Sequence, residues 1–157
     1  MKLETATQID NLGGEDGTLK IWSNNGMLRS TVLQEGFNNF SSLENPVYSL
    51  AWNPTDTKQI VSACSKNLIL CSLNANSEQI KWLAHEGSVL SVDWSKDNII
   101  VSGGEDCRYK TWDSCGRLLY SSALEQDVIT SVSCSPLGNF FVAGSFNTVR
   151  LCQTNGV

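Results

Sequence analysis

GGEDCRYKTWD, residues 103–113, decides the fold because it recurs. GGEDGTLKIW (13–22), SACSKNLILC (62–71) and AGSFNTVRLC (143–152) align with its first ten residues, so the four segments begin 49, 41 and 40 residues apart. A second motif precedes the last three: PVYSLAWNP (46–54), SVLSVDWSK (88–96) and VITSVSCSP (128–136). Its anchor residues Trp52, Trp94 and Cys134 are spaced by 42 and 40. Two motifs kept in one order at one period make an internal repeat, and a period of about 41 residues marks an array of supersecondary units.

Within each repeat the pattern is that of strands. In SVLSVDW, Val89, Ser91 and Asp93 alternate imperfectly with Leu90, Val92 and Trp94, one set for each face of a sheet. IIVSG (99–103) and FFVAG (140–144) are short, apolar and closed by glycine, as buried strands are. NPTD, SKDN, EDG, NNG and SPLG supply turns between the runs. The repeat holding the opening stretch is expected to form strands over 88–94, 99–103, 108–113 and 117–123. No segment keeps a helical period over three turns.

Four short strands in such a period are one blade of a β-propeller. The expected fold is therefore all-β: a partial, open β-propeller of about three to four four-stranded antiparallel blades. Residues 1–11 read as a divergent N-terminal segment, and 12–157 as the blades. Within these, 12–36 is a partial blade, 37–44 a loop insertion rich in Asn and Ser, 45–84 and 85–124 whole blades, and 125–157 a partial blade. A closed seven-bladed ring at this period needs about 287 residues, so a fragment or short form is expected. Its uncovered end blades would leave apolar faces bare, which predicts marginal stability or self-association through them.

Composition agrees. Hydrophobic residues make up 41% of the chain and charged residues 17%, too apolar and too weakly charged for a disordered segment. The net charge of −5, with no basic stripe, argues against nucleic-acid binding and for simple solubility. The polar start MKLETATQID has no signal-peptide core, and no run reaches membrane-spanning length, so neither secretion nor membrane insertion is expected. Of six cysteines none is spaced CxxC, and His85 is the one histidine, so no metal or cofactor is expected. Cys64, Cys71, Cys134 and Cys152 occupy apolar strand positions and are expected to be reduced thiols.

These motifs resemble the WD-repeat family. AHEG (84–87) stands where that family has Gly-His, with Ala84 for the glycine, and GGEDCRYKTWD ends in its Trp-Asp pair. The resemblance implies a buried hydrogen-bonded chain of His85, Ser102, Asp106 and Trp112 in this blade. Aligned segment by segment, the first repeat keeps Asp16 and Trp22 but has no upstream histidine. The second has Ser65 and Cys71 at the Asp and Trp positions, and the fourth has Phe146 and Cys152. Those blades are expected to depend on apolar packing. A narrower resemblance runs from about Gly13 to Thr154, carried by GEDGTLKIWS, NGMLRST, PVYSLAW and KTWDSCGRLLY. It is to the first propeller of the eighty-kilodalton WD-repeat subunits of intraflagellar transport complex B.

His85 could in principle serve as a general base, but its place in the repeat accounts for it structurally. Asp106 stands alone, without the spaced acids of a calcium loop. Neither glycine pair leads into a helix or a GK[ST], so neither is a phosphate loop. Trp82, on an expected outer strand, is the candidate partner contact, weighed against packing between blade layers. Arg108, Lys110 and Arg117 read as a solvated basic face. The resemblance implies a non-enzymatic scaffold acting in cilium assembly and ciliary protein transport. Its partners would be other proteins, complex B subunits among them, and its place the cytoplasm and the cilium, at basal body and axoneme. The alternatives are a WD-repeat adaptor, such as a ubiquitin-ligase substrate receptor, and a propeller hydrolase. No paired carboxylates or Ser-His spacing recur to support the last.

Overall fold

The computed structural model describes residues 9–13, 17–23, 25–33, 46–74 and 78–154. The first sheet holds β1 (Ile9–Gly13), β2 (Thr18–Ser23) and β3 (Leu28–Leu33). The second holds β4 (Val47–Trp52), β5 (Gln59–Cys64), β6 (Asn67–Ser72) and β7 (Ile80–Leu83). The third holds β8 (Val89–Trp94), β9 (Ile100–Gly104), β10 (Tyr109–Trp112) and β11 (Leu118–Ser121). The fourth holds β12 (Ser131–Cys134), β13 (Phe140–Gly144) and β14 (Val149–Gln153). Each strand pairs antiparallel with its neighbour in sequence. The fold is an open segment of a β-propeller. Its third-blade strands lie within two residues of the ends the sequence predicts. The proposed 37–44 loop and Asp16 lie outside the described residues.

Two sequence readings need correction. Residues 1–11 were set apart from the blades, yet β1 pairs with β2 from Ile9↔Ser23 to Gly13↔Leu19. Asp10 and Asn11, both poor strand formers, disguise that strand. The ten-residue alignment of the second and fourth repeats is also out of register by one. Trp112 pairs with Ile100, and its counterparts Cys71 and Cys152 pair with Ile60 and Phe141. Ser62 and Ala143, not Val61 and Val142, therefore stand where Ser102 stands, and the following turn is one residue shorter in both blades.

Successive sheets pack face to face. Leu19 and Ile21 of the first meet Ile60 of the second. Ala51, Val61, Ala63, Leu68 and Leu70 meet Val92, Trp94, Ile100 and Trp112 of the third. Val101 and Tyr109 meet Val132, Phe141 and Ala143 of the fourth, with Ile129 between. Because both faces of a middle sheet are covered, β5 and β6 are buried almost end to end, which produces the near-continuous apolar runs seen in sequence. All six cysteines are free, and Cys64 and Cys71 are buried with Val47 and Ile69. Burial pushes both thiols up to about 11, so they act as small apolar groups.

Gly103, on β9, faces Ile129 in the segment that leads into β12. A Cβ there would lie 2.4 Å from Ile129 Cγ2 and 3.2 Å from the Ile129 carbonyl oxygen. The second contact is with backbone and cannot swing aside. Gly103→Ala is expected to cost about 1–3 kcal/mol, read as a lower urea midpoint at unchanged slope. An unchanged midpoint would show that this junction gives way.

Candidate functional site

The loop between β7 and β8 carries His85 into the interior. Its backbone N–H donates to the Lys66 carbonyl at 3.1 Å, and the residue is 1% exposed. β9 supplies Ser102, the β9–β10 turn supplies Asp106, and the end of β10 supplies Trp112. These four side chains meet. Trp112 Nε1–H donates to Ser102 Oγ at 2.9 Å. Ser102 Oγ lies 2.8 Å from His85 Nε2, and His85 Nδ1 lies 2.7 Å from Asp106 Oδ1.

The tautomer follows from the two ends. Asp106 can only accept when ionised, so His85 Nδ1 carries the hydrogen. Trp112 can only donate, so Ser102 must pass its own hydrogen to Nε2. Every donor then has an acceptor, and the imidazole is neutral. Asp106 Oδ2 accepts the Glu86 N–H at 3.2 Å and lies 3.6 Å from Lys110 Nζ. Lys110 Nζ also donates to the Ala84 carbonyl at 2.7 Å and stands 5.9 Å above the Trp112 ring. Lys110 is thus part of the buried assembly, not of a solvated face. The sequence held a signal for this: Lys110 and Trp112, two apart on a strand, share a face. Arg108 bonds the Ser122 carbonyl, and Arg117 Nε pairs with Asp113 Oδ2 at 2.6 Å at the surface.

A Ser–His–Asp sequence of contacts is also the arrangement of a nucleophilic triad. Here Ser102 is fully buried and its oxygen is capped by the Trp112 N–H, so an incoming substrate has no path to it. The arrangement ties loop, turn and two strands together. Burial holds the His85 imidazole below the ordinary histidine range, outweighing the pull of Asp106. At Asp106 burial pushes upward but is outweighed by the bond and charge of His85, the Glu86 N–H and Lys110. The carboxyl stays below its usual range.

Both shifts make acid destabilising. The unfolded chain takes a proton at His85 near its ordinary value of 6.5, which the folded chain resists, so stability is lost progressively as pH falls from 6.5 toward the lower folded value. The Asp106 contribution is present above its ordinary value of 3.8 and is lost as pH falls through the lower folded value. Urea unfolding between pH 8 and 5 should show stability falling toward acid. His85→Gln should flatten that slope; an equal slope in the variant would contradict the buried neutral imidazole.

The other blades lack the full set. In the first, Leu12 stands in the Ser102 register and Trp22 Nε1 is buried without a partner among the described residues. In the second, Ser62 is retained but donates to the Ile69 carbonyl at 3.3 Å. In the fourth, Glu125 and Arg150, 40 residues after His85 and Lys110, form an ion pair at 2.6 Å. Trp82 is half-buried, with its ring 6.1 Å from that of Trp112. A Cβ on Gly116, whose φ is +80°, would lie 2.8 Å from the Trp82 indole.

Comparison with known proteins yields consistent matches. The family model described as "WD domain, G-beta repeat" matches residues 77–113, the span holding His85 to Trp112. The intraflagellar transport protein 80 homologs of Rattus norvegicus and Mus musculus are each 48% identical over 144 residues, 91% of this chain. The chain spans 17% of the length of these relatives. The human F-box-like/WD repeat-containing protein TBL1Y is 25% identical over 95 residues, covering 60% of this chain and 17% of its own length.

Proposed function

The chain is a WD-repeat protein, and on that premise we propose that it is a non-enzymatic scaffold of intraflagellar transport, acting in cilium assembly and ciliary protein transport. Its partners are complex B subunits, and its location is the cytoplasm and the cilium, at basal body and axoneme. The observation that carries this reading is the 48% identity along 91% of the chain to two intraflagellar transport protein 80 homologs. The adaptor reading has weaker support, at 25% identity to an F-box-like relative.

The surface supports docking of proteins. The outer strands expose apolar side chains: Leu28 on β3, Ile80 and Leu83 on β7, Leu118 and Leu119 on β11. On β7 these flank Trp82, which makes that strand the first partner contact to test. The test is affinity capture of the tagged chain from a ciliated-cell extract, read by mass spectrometry. Complex B subunits in the eluate, reduced by Leu83→Asp, support the reading. Their absence sinks it.

A further inference from the structure

The outer strands β3, β7 and β11 each end a sheet, so each turns one row of backbone N–H and C=O groups away from it. In the third sheet β8 is the inner end, packed against β4 and β12, and β11 is the outer edge. The second and fourth sheets cover the faces of this sheet and leave that edge clear. Just past β11 the Ser122 N–H turns inward to the Tyr109 carbonyl at 3.0 Å. Alternation along the strand therefore aims the N–H and C=O of Ser121 outward. Among the described residues no strand pairs with them.

The three outer edges are not guarded alike. A charged side chain ordinarily keeps an exposed edge from pairing with another chain, because an added strand would press against the charge. β3 carries the exposed Arg29 and β7 the exposed Lys81. β11 reads Leu118-Leu119-Tyr120-Ser121, without a charge, and its leucines are 53% and 52% exposed. Arg117 stands immediately before it, with its side chain 81% exposed and its Nε on Asp113 Oδ2. No bond from the terminal nitrogens of Arg117 is found among the described residues.

We propose that the outer edge of β11 receives an extended segment of another protein as a fifth strand, one with apolar residues at alternate positions and a carboxylate that meets Arg117. The main-chain groups select an extended segment, since only a strand matches their spacing. The exposed leucines select apolar side chains, and the guanidinium at the start of the edge selects the acid. A second copy of the chain fits less well, because none of its described outer strands carries a carboxylate. This edge is distinct from the β7 contact above, and the proposal does not rest on the transport reading.

The test uses the whole chain and short synthetic peptides of alternating Val and Thr, with one Asp at the amino or the carboxy end to allow both strand directions. Hydrogen exchange read residue by residue should show the Ser121 amide slowed about tenfold or more by at least one Asp peptide. A fully N-methylated peptide, which has no main-chain N–H to donate, should leave that amide unchanged. Two separate variants should abolish peptide binding in a calorimetric titration. Leu119→Lys installs the charge that β11 lacks, and Ser121→Pro removes the outward N–H while sparing the bonds to β10. Replacing the peptide's Asp by Lys should weaken binding about two- to fivefold at low salt, and Arg117→Gln should erase that difference. Unchanged exchange at Ser121 with both Asp peptides overturns the proposal. So does binding that survives N-methylation or both variants, and so does equal binding of the Asp and Lys peptides. Dimerisation of the free chain, lost in Leu119→Lys, would overturn it in favour of a second copy.

Discussion

Trp112→Ala is expected to lower the free energy of unfolding by about 3–5 kcal/mol, the range for removing a large buried aromatic. The indole lies in the core between the second and third sheets, with its ring against Trp82 and its N–H on Ser102. The substitution leaves a cavity at a junction, removes the ring beneath Lys110, and strips Ser102 of a donor. Urea unfolding followed by circular dichroism measures the loss. A change below about 1 kcal/mol would mean the site collapses around the gap, which close packing resists.

Ser102→Ala removes one oxygen yet is expected to cost about 1–3 kcal/mol for each of two orphaned groups, the Trp112 N–H and His85 Nε2. Both stay buried after the change, and an alanine methyl offers neither a bond. The cost should be strongly non-additive with His85→Ala, because the second substitution removes a group the first has already orphaned. A double-mutant cycle measures this. Simple additivity would mean that Ser102 and His85 do not act through the bond seen between them.

The fold was legible in the sequence because its two strongest signals are independent of one another. The anchors Trp52, Trp94 and Cys134 set the period, and the glycine-closed runs set the buried strands. The four members of the hydrogen-bonded chain were legible only through resemblance, since no spacing rule brings His85 to Ser102. Register was less readable. A turn shortened by one residue leaves the ten-residue alignment looking intact while moving every preceding side chain to the other face. Strand pairing, not the ungapped alignment, identifies Ser62 as the counterpart of Ser102. Lys110 reads as a solvated cation, the ordinary case; its strand position beside Trp112 is the one sequence signal against that, and its approach to Asp106 and the Ala84 carbonyl establishes its place. Two serines fasten neighbouring blades, Ser49 accepting the Val92 amide and Ser91 the Val132 amide, and each precedes its blade's anchor tryptophan by three residues.

Those serines join blades by grasping the main chain of the next one, and every amino acid except proline offers the same amide there. Such a fastening is indifferent to the side chains of the blade it holds. One repeat can exchange its anchor tryptophan for Cys134, or its polar chain for the Glu125–Arg150 pair, and remain held in the array. Tolerance of dissimilar neighbours is thereby a property of the joint itself.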